Sequence, residues 1–316
     1  MAKPMAERGA REGMVTGPIG PALSRPSGPT VRATTWDDAR NFVVHLRLPF
    51  QLTLAPFMLW GAAVSHARLS ARFGLAFVVL QVCFYGGTTA FNSHYDRDEG
   101  PVGGLETPPP PGPWLLPGSL ALQGLGLGLA ALIDARLFTV YLVYAVLGVL
   151  YSHPSTRWKA RPYASWAVVM FGQGALAALA GVVAGRGVVT PAVVWGLGGA
   201  AAFVGALYPL TQLFQVAEDT ARGDVTAAIA LGRRGACAAS IVLSLIGAAC
   251  LSRSAQLAGR PLDAMLLALA GLPMTLGASW VCRPVAPRTV FRRISVVQLG
   301  AGAGFGLYTV FRLLCG

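Results

Sequence analysis

The chain has 316 residues, 54% of them apolar and only 12% charged, where a soluble domain carries roughly a quarter. Its net charge of +12 does not point to nucleic acid, because the basic residues are spread between apolar runs and form no stripe interleaved with aromatics. The cysteines (Cys83, Cys237, Cys250, Cys282 and Cys315) sit singly in or beside apolar runs, without CxxC or metal-ligand spacing, and read as reduced packing residues.

Residues 1–34 are polar, with scattered Pro, Gly and Ser and no apolar core ahead of a cleavage site. They read as a disordered tail, and residues 35–316 as one helical membrane domain. Residues 35–47 suit a short amphipathic helix at the membrane surface. Apolar segments of near the length of about 20 residues that a span requires then follow at 48–67, 73–95, 114–134, 137–153, 164–185, 191–216, 236–252, 262–282 and 295–315. Pro108–Pro111, Arg161-Pro162 and Thr190-Pro191 punctuate them. Their many Gly and Ala residues let helices approach closely. The fold class is all-α, a polytopic membrane bundle of about nine transmembrane helices. With the amino terminus in the cytoplasm, basic residues number 18 inside and 7 outside, and 11 against 7 when the long tail is discounted. Arg233, Arg234, Arg292 and Arg293 read as topology charges.

Carboxylates are scarce and clustered. After residue 48, Asp134 and Asp263 lie at outside loops, while Asp96, Asp98, Glu99 and Glu106 follow the second span and Glu218, Asp219 and Asp224 follow the sixth. Both clusters fall on the cytoplasmic side. Asp96 and Asp219 are placed at helix carboxyl ends, where an anion loses about 0.3–1 kcal/mol. The adjacent sequence offers only Arg97 and Arg222 as counter-charges, which favours a bound divalent cation. Asn92 with Asp96, and Gln215 with Asp219, are four apart and share a helix face. Mg²⁺ takes such hard oxygen ligands together with waters and phosphates, so the two ends suit magnesium diphosphate. After the fourth span Arg157, Lys159 and Arg161 supply charge for phosphate.

Phe91-Asn-Ser-His-Tyr-Asp96-Arg-Asp-Glu resembles the first aspartate-rich motif of the UbiA-type intramembrane prenyltransferases, and Gln215-Val-Ala-Glu-Asp219-Thr-Ala-Arg-Gly223-Asp-Val-Thr226 resembles the second. LeuArgLeuProPheGlnLeu (46–52) and Tyr151-Ser152 with Pro154, Arg157 and Lys159 are similar to further family features. The resemblance implies nine helices around a central cavity and Mg²⁺ as cofactor. It also implies a polyprenyl diphosphate that ionises and passes its carbocation to a lipophilic, often aromatic, acceptor. Carried over, Asn92, Asp96, Glu99, Gln215 and Asp219 are the metal candidates. Asn92, Arg157, Lys159, Arg161 and Arg222 are the diphosphate candidates, and Tyr151 could face the cation or belong to an interfacial belt. Gly100 stands where the first motif usually has its last aspartate, Gln215 where the second begins with one, and Glu106 where such loops often carry a base. The implied location is a bacterial inner membrane. A terpene cyclase-like or repurposed relative, and an ion-coupled transporter, are the competing readings.

Overall fold

The computed structural model describes residues 35–315; the expected tail, residues 1–34, lies outside them. Among the described residues there are helices and no β-strand. We label them α1 (Thr35–His45), α2 (Leu48–Gln51), α3 (Ala55–Val64), α4 (Ala71–Asp96), α5 (Leu115–Ile133) and α6 (Ala135–Ser152). Then come α7 (Pro162–Ala184), α8 (Pro191–Gln212), α9 (Val216–Ala221), α10 (Ala227–Leu257), α11 (Pro261–Val281) and α12 (Pro287–Cys315). Eight of these are long and apolar enough to cross a bilayer. The segments Trp36–Gln51 and Ala55–Val64, bent by 41° at their junction, pass the same test only as a pair, which brings the number to nine if the pair is counted as one span. An all-α polytopic bundle is therefore what the chain forms.

Local chemistry explains the boundaries. Ser70 and Thr190 accept hydrogen bonds from Phe73 and Val193 N–H groups that the first turns of α4 and α8 leave without an intrahelical partner. Asp134 does the same for Arg136 at the start of α6. Pro162, Pro191, Pro261 and Pro287 open α7, α8, α11 and α12, where a missing N–H costs nothing. Stretches of α4 (Val79–Gly86) and α7 (Met170–Leu176) are π-helical, a form frequent at functional sites.

Two expectations change. The seventh span, read as 236–252, is α10 over Ala227–Leu257, bent at Gly232, whose φ of 64° and ψ of 171° are not helical. Arg233 hid this extension from a hydropathy reading; it leaves the apolar layer by donating to the Arg283 carbonyl at 3.1 Å. The sixth span stops at Gln212, and α9 starts afresh with Gln215 as its cap.

Small residues set the helix crossings. A Cβ at Gly61 in α3 would run into the Ala178 carbonyl of α7, and one at Gly181 in α7 into the Met58 carbonyl of α3. Only glycine permits such backbone contact, and close packing holds membrane helices where no hydrophobic effect separates lipid from protein. Salt bridges close the end of the bundle away from the acidic clusters: Arg72 to Asp134 at 2.6 Å, and Arg312 to the buried Asp263. Gly181→Val should cost at least the ~1–3 kcal/mol of an overpacked core. It should lower the melting midpoint in detergent, whereas Gly198→Ala, with open space around the added carbon, should leave it unchanged.

Candidate active site

A cavity of about 1080 Å³ runs into the bundle, walled by α2, α3, α4, α6, α7, α8, α10, α11 and α12. Most of its lining is apolar, including Phe57, Leu147, Val204, Leu251, Met274, Phe291 and Phe305. Polar and charged residues gather at one end, where Asn92, Asp96, Asp98, Lys159, Gln215, Asp219, Arg222 and Asp224 all face the same space.

Three elements bring them there. Helix α4 ends at Asp96, and Arg97 turns the chain through a left-handed conformation (φ 50°). Asp98 thereby comes back to the cavity, while Glu99 is left exposed and outside the lining. The loop after α6 carries Lys159, buried on a single 3₁₀ turn, Trp158–Ala160. The segment after α8 carries Gln215, Asp219, Arg222 and Asp224. Backbone bonds from Asp219 N to the Gln215 carbonyl and from Asp224 N to the Asp219 carbonyl, both 2.9 Å, fold it.

Arg222 joins the two acidic segments. Its guanidinium donates to the Asp96 carbonyl at 3.1 Å and to Asp98 Oδ1 at 2.9 Å on one side. On the other it meets Asp219 Oδ1 at 3.2 Å and Glu218 Oε1 at 3.6 Å. Lys159 pairs with Asp96, and Arg157 grips both oxygens of Asp224 at 3.0 and 2.9 Å. Glu218 also accepts the Glu99 N–H at 3.2 Å, and its Oε2 fills the place where a Gly100 side chain would project, 2.9 Å from that Cβ position. An aspartate at 100 would meet another carboxylate there.

The structure brings Asn92, Asp96, Tyr151, Lys159, Gln215, Asp219 and Arg222 to one cavity, and it keeps others out of the lining. Arg157 sits behind Asp224, and Arg161 is exposed at the entry to α7. Asp219 does not fall at the carboxyl end of the sixth span, which stops at Gln212, but within the short separate helix α9. It is the fourth of the six residues of α9, in that helix's first turn, because the chain breaks between Gln212 and Val216. The counter-charges are also richer than the neighbouring sequence offered, since Lys159 and Arg157 arrive from a loop some 60 residues distant. Three of the four arginines read as topology charges have specific partners: Arg233 donates to the Arg283 carbonyl, Arg292 meets Glu106 at 3.1 Å, and Arg293 lies over the Trp280 ring. Sequence reading missed Arg47. It is buried with a positive φ of 50°, lines the cavity and donates to Ser93 Oγ at 2.6 Å. Its only signal was the Leu-Arg-Leu-Pro run. Asn92 accepts from Ser152 Oγ at 2.8 Å, and the Tyr151 and Tyr208 hydroxyls pair at 3.0 Å.

Among the described residues no three His, Cys, Asp or Glu side chains converge closely enough to hold a metal ion alone. The donor set nonetheless fits Mg²⁺, which commonly takes one or two carboxylates and completes its shell with water and substrate phosphate. Asp96, Asp98, Asp219 and Asp224 would supply the carboxylates, with Asn92 and Gln215 as oxygen donors beside them.

Burial dominates the electrostatics of this end. Burial, then the nearby Asp224 and Asp98, pushes the Asp219 carboxyl up to about 6 although Arg222 opposes this. Burial and Arg222 bring the Lys159 ammonium down to about 8, against the pull of Asp224 and Asp219. A carboxyl whose pKa is higher folded than unfolded binds an extra proton in the native state, so stability falls as pH rises through that interval. Between pH 4 and 7 the wild-type melting midpoint should therefore drop relative to Asp219→Asn, measured by thermal unfolding in detergent. A parallel pH response in both proteins would contradict this.

No protein-family model and no curated protein matches the sequence. Solved structures do. A UbiA homolog from Archaeoglobus fulgidus, determined with GPP and Mg²⁺, aligns with a TM-score of 0.64 at 18% identity, over 85% of this chain and 99% of that one. A structure of digeranylgeranylglyceryl phosphate synthase gives 0.62 at 15% identity over 88% and 99%. An apo UbiA homolog from Aeropyrum pernix K1 gives 0.60 at 18% over 81% and 97%. Over more than four fifths of its length, the chain shares its fold with these UbiA homologs.

Proposed function

We propose that this integral membrane protein is a Mg²⁺-dependent prenyltransferase. In this reading it ionises a polyprenyl diphosphate and passes the allylic carbocation to a lipophilic, aromatic acceptor. One observation carries the reading: carboxylates from two distant segments, with Lys159 and Arg222 between them, ring one end of a cavity whose remainder is apolar. The A. fulgidus homolog bound to GPP and Mg²⁺, and another structure of it with DMAPP and Mg²⁺, support the same chemistry at the level of the fold.

When bound, Mg²⁺ supplies charge that stabilises the departing diphosphate. The residues of the chain do the rest. Asp96 and Asp219, from opposite segments, would hold the ion, and Asn92, whose oxygen accepts from Ser152, would offer an oxygen beside Asp96. Lys159 exchanges its pairing with Asp96 for one with a phosphate oxygen, so the buried ammonium keeps an anionic partner throughout. Arg222 remains on Asp98 and the Asp96 carbonyl, fixing the separation of the two segments. Charge-compensating groups already in place need little reorganisation as the C–O bond breaks. Beyond them the apolar walls hold the prenyl chain and keep water from the cation. Tyr151 and Tyr208 present rings to that space. The protein would lie in a bacterial inner membrane with its amino terminus and acidic end in the cytoplasm.

The placement of the acids weighs against a transporter. Ion-coupling carboxylates lie near the bilayer midplane on interrupted helices, whereas these cluster where helices end. Diphosphate release from labelled geranylgeranyl diphosphate with Mg²⁺, with and without lipid extract, tests the reading. Acceptor-dependent release is expected; release without acceptor would indicate cyclisation or hydrolysis, and none would favour transport. Asp96→Ala and Asp219→Ala should each lower turnover by about 10²–10³-fold or more while the melting transition persists, and chelation of Mg²⁺ should abolish it. Full activity in either variant removes that residue from the site.

A further inference from the structure

The two halves of the bundle repeat one another at the end away from the acids. A shift of 120 positions relates α3 and the first turn of α4 to the last turns of α7 and the first turn of α8. Gly61 then falls on Gly181, and their contacts exchange: a Cβ at Gly61 strikes the Ala178 carbonyl, and one at Gly181 strikes the Met58 carbonyl. The turns that follow also correspond. His66 and Arg186 are both left-handed, with φ of 53° and 56°, which residues other than glycine seldom adopt. Ser70 and Thr190 both cap the next helix, accepting from the Phe73 and Val193 N–H groups.

The likeness breaks in its charges. In the first half Arg72 reaches Asp134, the cap of α6, at 2.6 Å, and Asp134 also accepts the Arg136 N–H at 2.8 Å. In the second half Ala192 stands in the place of Arg72, and Arg260 caps α11 as Asp134 caps α6. A small residue and a base thus replace a base and its acid. Here lies a second cavity, of about 600 Å³, whose lining includes Ser65, His66, Arg186, Thr190 and Ala192 and no carboxylate. Arg260 donates to His66 Nδ1 at 3.3 Å, so the neutral ring keeps its proton, and a donor, at Nε2. Among the described residues the Arg186 guanidinium has no hydrogen bond or ion pair. Seven arginines face two aspartates at this end, and both aspartates are already held, Asp134 by Arg72 and Asp263 by Arg312.

An anion in this cavity would restore to the second half the negative charge that Asp134 gives the first. A guanidinium and an imidazole N–H suit phosphate oxygens. The rest of the lining is apolar, and two of its members, Val188 and Leu257, are exposed on the membrane-spanning bundle. We infer that the cavity binds the phosphate of an anionic phospholipid, with the acyl chains against Val188 and Leu257. The excess of arginine favours a headgroup of net negative charge over a zwitterionic one. This site is separate from the acidic end and needs neither Mg²⁺ nor diphosphate.

The test uses the full chain, stripped of lipid in detergent, with dioleoylphosphatidylglycerol, dioleoylphosphatidylcholine and inorganic phosphate as probes. Binding is read by native mass spectrometry and by the melting midpoint, which a ligand of the folded state raises. Phosphatidylglycerol should bind at least tenfold more tightly than either of the others. Arg186→Gly, which suits the left-handed turn, should weaken that binding about tenfold, the equivalent of one charged hydrogen bond. It should leave the lipid-free midpoint unchanged, whereas a merely structural arginine would lower it. Ala192→Asp supplies a carboxylate from within, in the first turn of α8 where an anion is favoured. It should remove the response to lipid and hold or raise the lipid-free midpoint. Should Ala192→Asp fail to fold, Arg186→Gly alone decides. Phosphatidylglycerol binding unaltered in the variants overturns the site. Inorganic phosphate binding as tightly as phosphatidylglycerol makes it a site for soluble anions, and phosphatidylcholine doing so removes the role of net charge; either overturns the assignment to an anionic lipid.

Discussion

The organisation of this protein depends on Arg222. One guanidinium holds the carbonyl of Asp96, the carboxylate of Asp98 and that of Asp219, and so ties the end of α4 to a segment more than 120 residues later. Four carboxylates around one cavity end repel one another, and burial sharpens the repulsion by removing water's screening. Lys159 and Arg157 join Arg222 in offsetting that charge. The result is a cluster of alternating sign; in the proposed reaction, an arriving cation and polyanion would replace internal partners with external ones of the same sign.

The bundle supplies the stiffness this needs. Glycine-mediated contact between α3 and α7 fixes the first half of the protein. In the second half, the Gln212 side chain accepts the Ala228 N–H at 3.3 Å, stitching the end of α8 to the start of α10 around the loop that carries Asp219 and Asp224. Gln215 reaches across to the Pro101 carbonyl at 3.3 Å and steadies the other acidic loop. Glu218 completes the substitution visible in the motifs. The first motif lacks its last acid at Gly100, and a carboxylate from the second occupies that space.

Much of this was legible in the sequence because membrane insertion writes itself in runs of about 20 apolar residues, and because acids are so rare here that two clusters stand out. What stayed hidden depended on backbone angles and distant contacts. The left-handed Arg97 decides that Asp98, and not Glu99, faces the cavity, and no residue type announces that angle. The start of α9 escaped notice because Leu213 and Phe214 are as apolar as the span before them; the break is held by the side chains of Gln212 and Gln215 on remote partners. Arg157 and Lys159 could be recognised as phosphate-binding types, yet their pairing with Asp224 and Asp96 required the fold. Arg47 looked like one more charge at a membrane boundary.

The central claim is that the two acidic segments serve one diphosphate. The most direct measurement is an experimental structure of the protein with Mg²⁺ and an unreactive prenyl thiolodiphosphate. Density for the ion and diphosphate between Asp96 and Asp219, with Lys159 moved from Asp96 to a phosphate oxygen and Arg222 in place, is the expected result. Diphosphate bound elsewhere, with the Lys159–Asp96 pair intact, would contradict it.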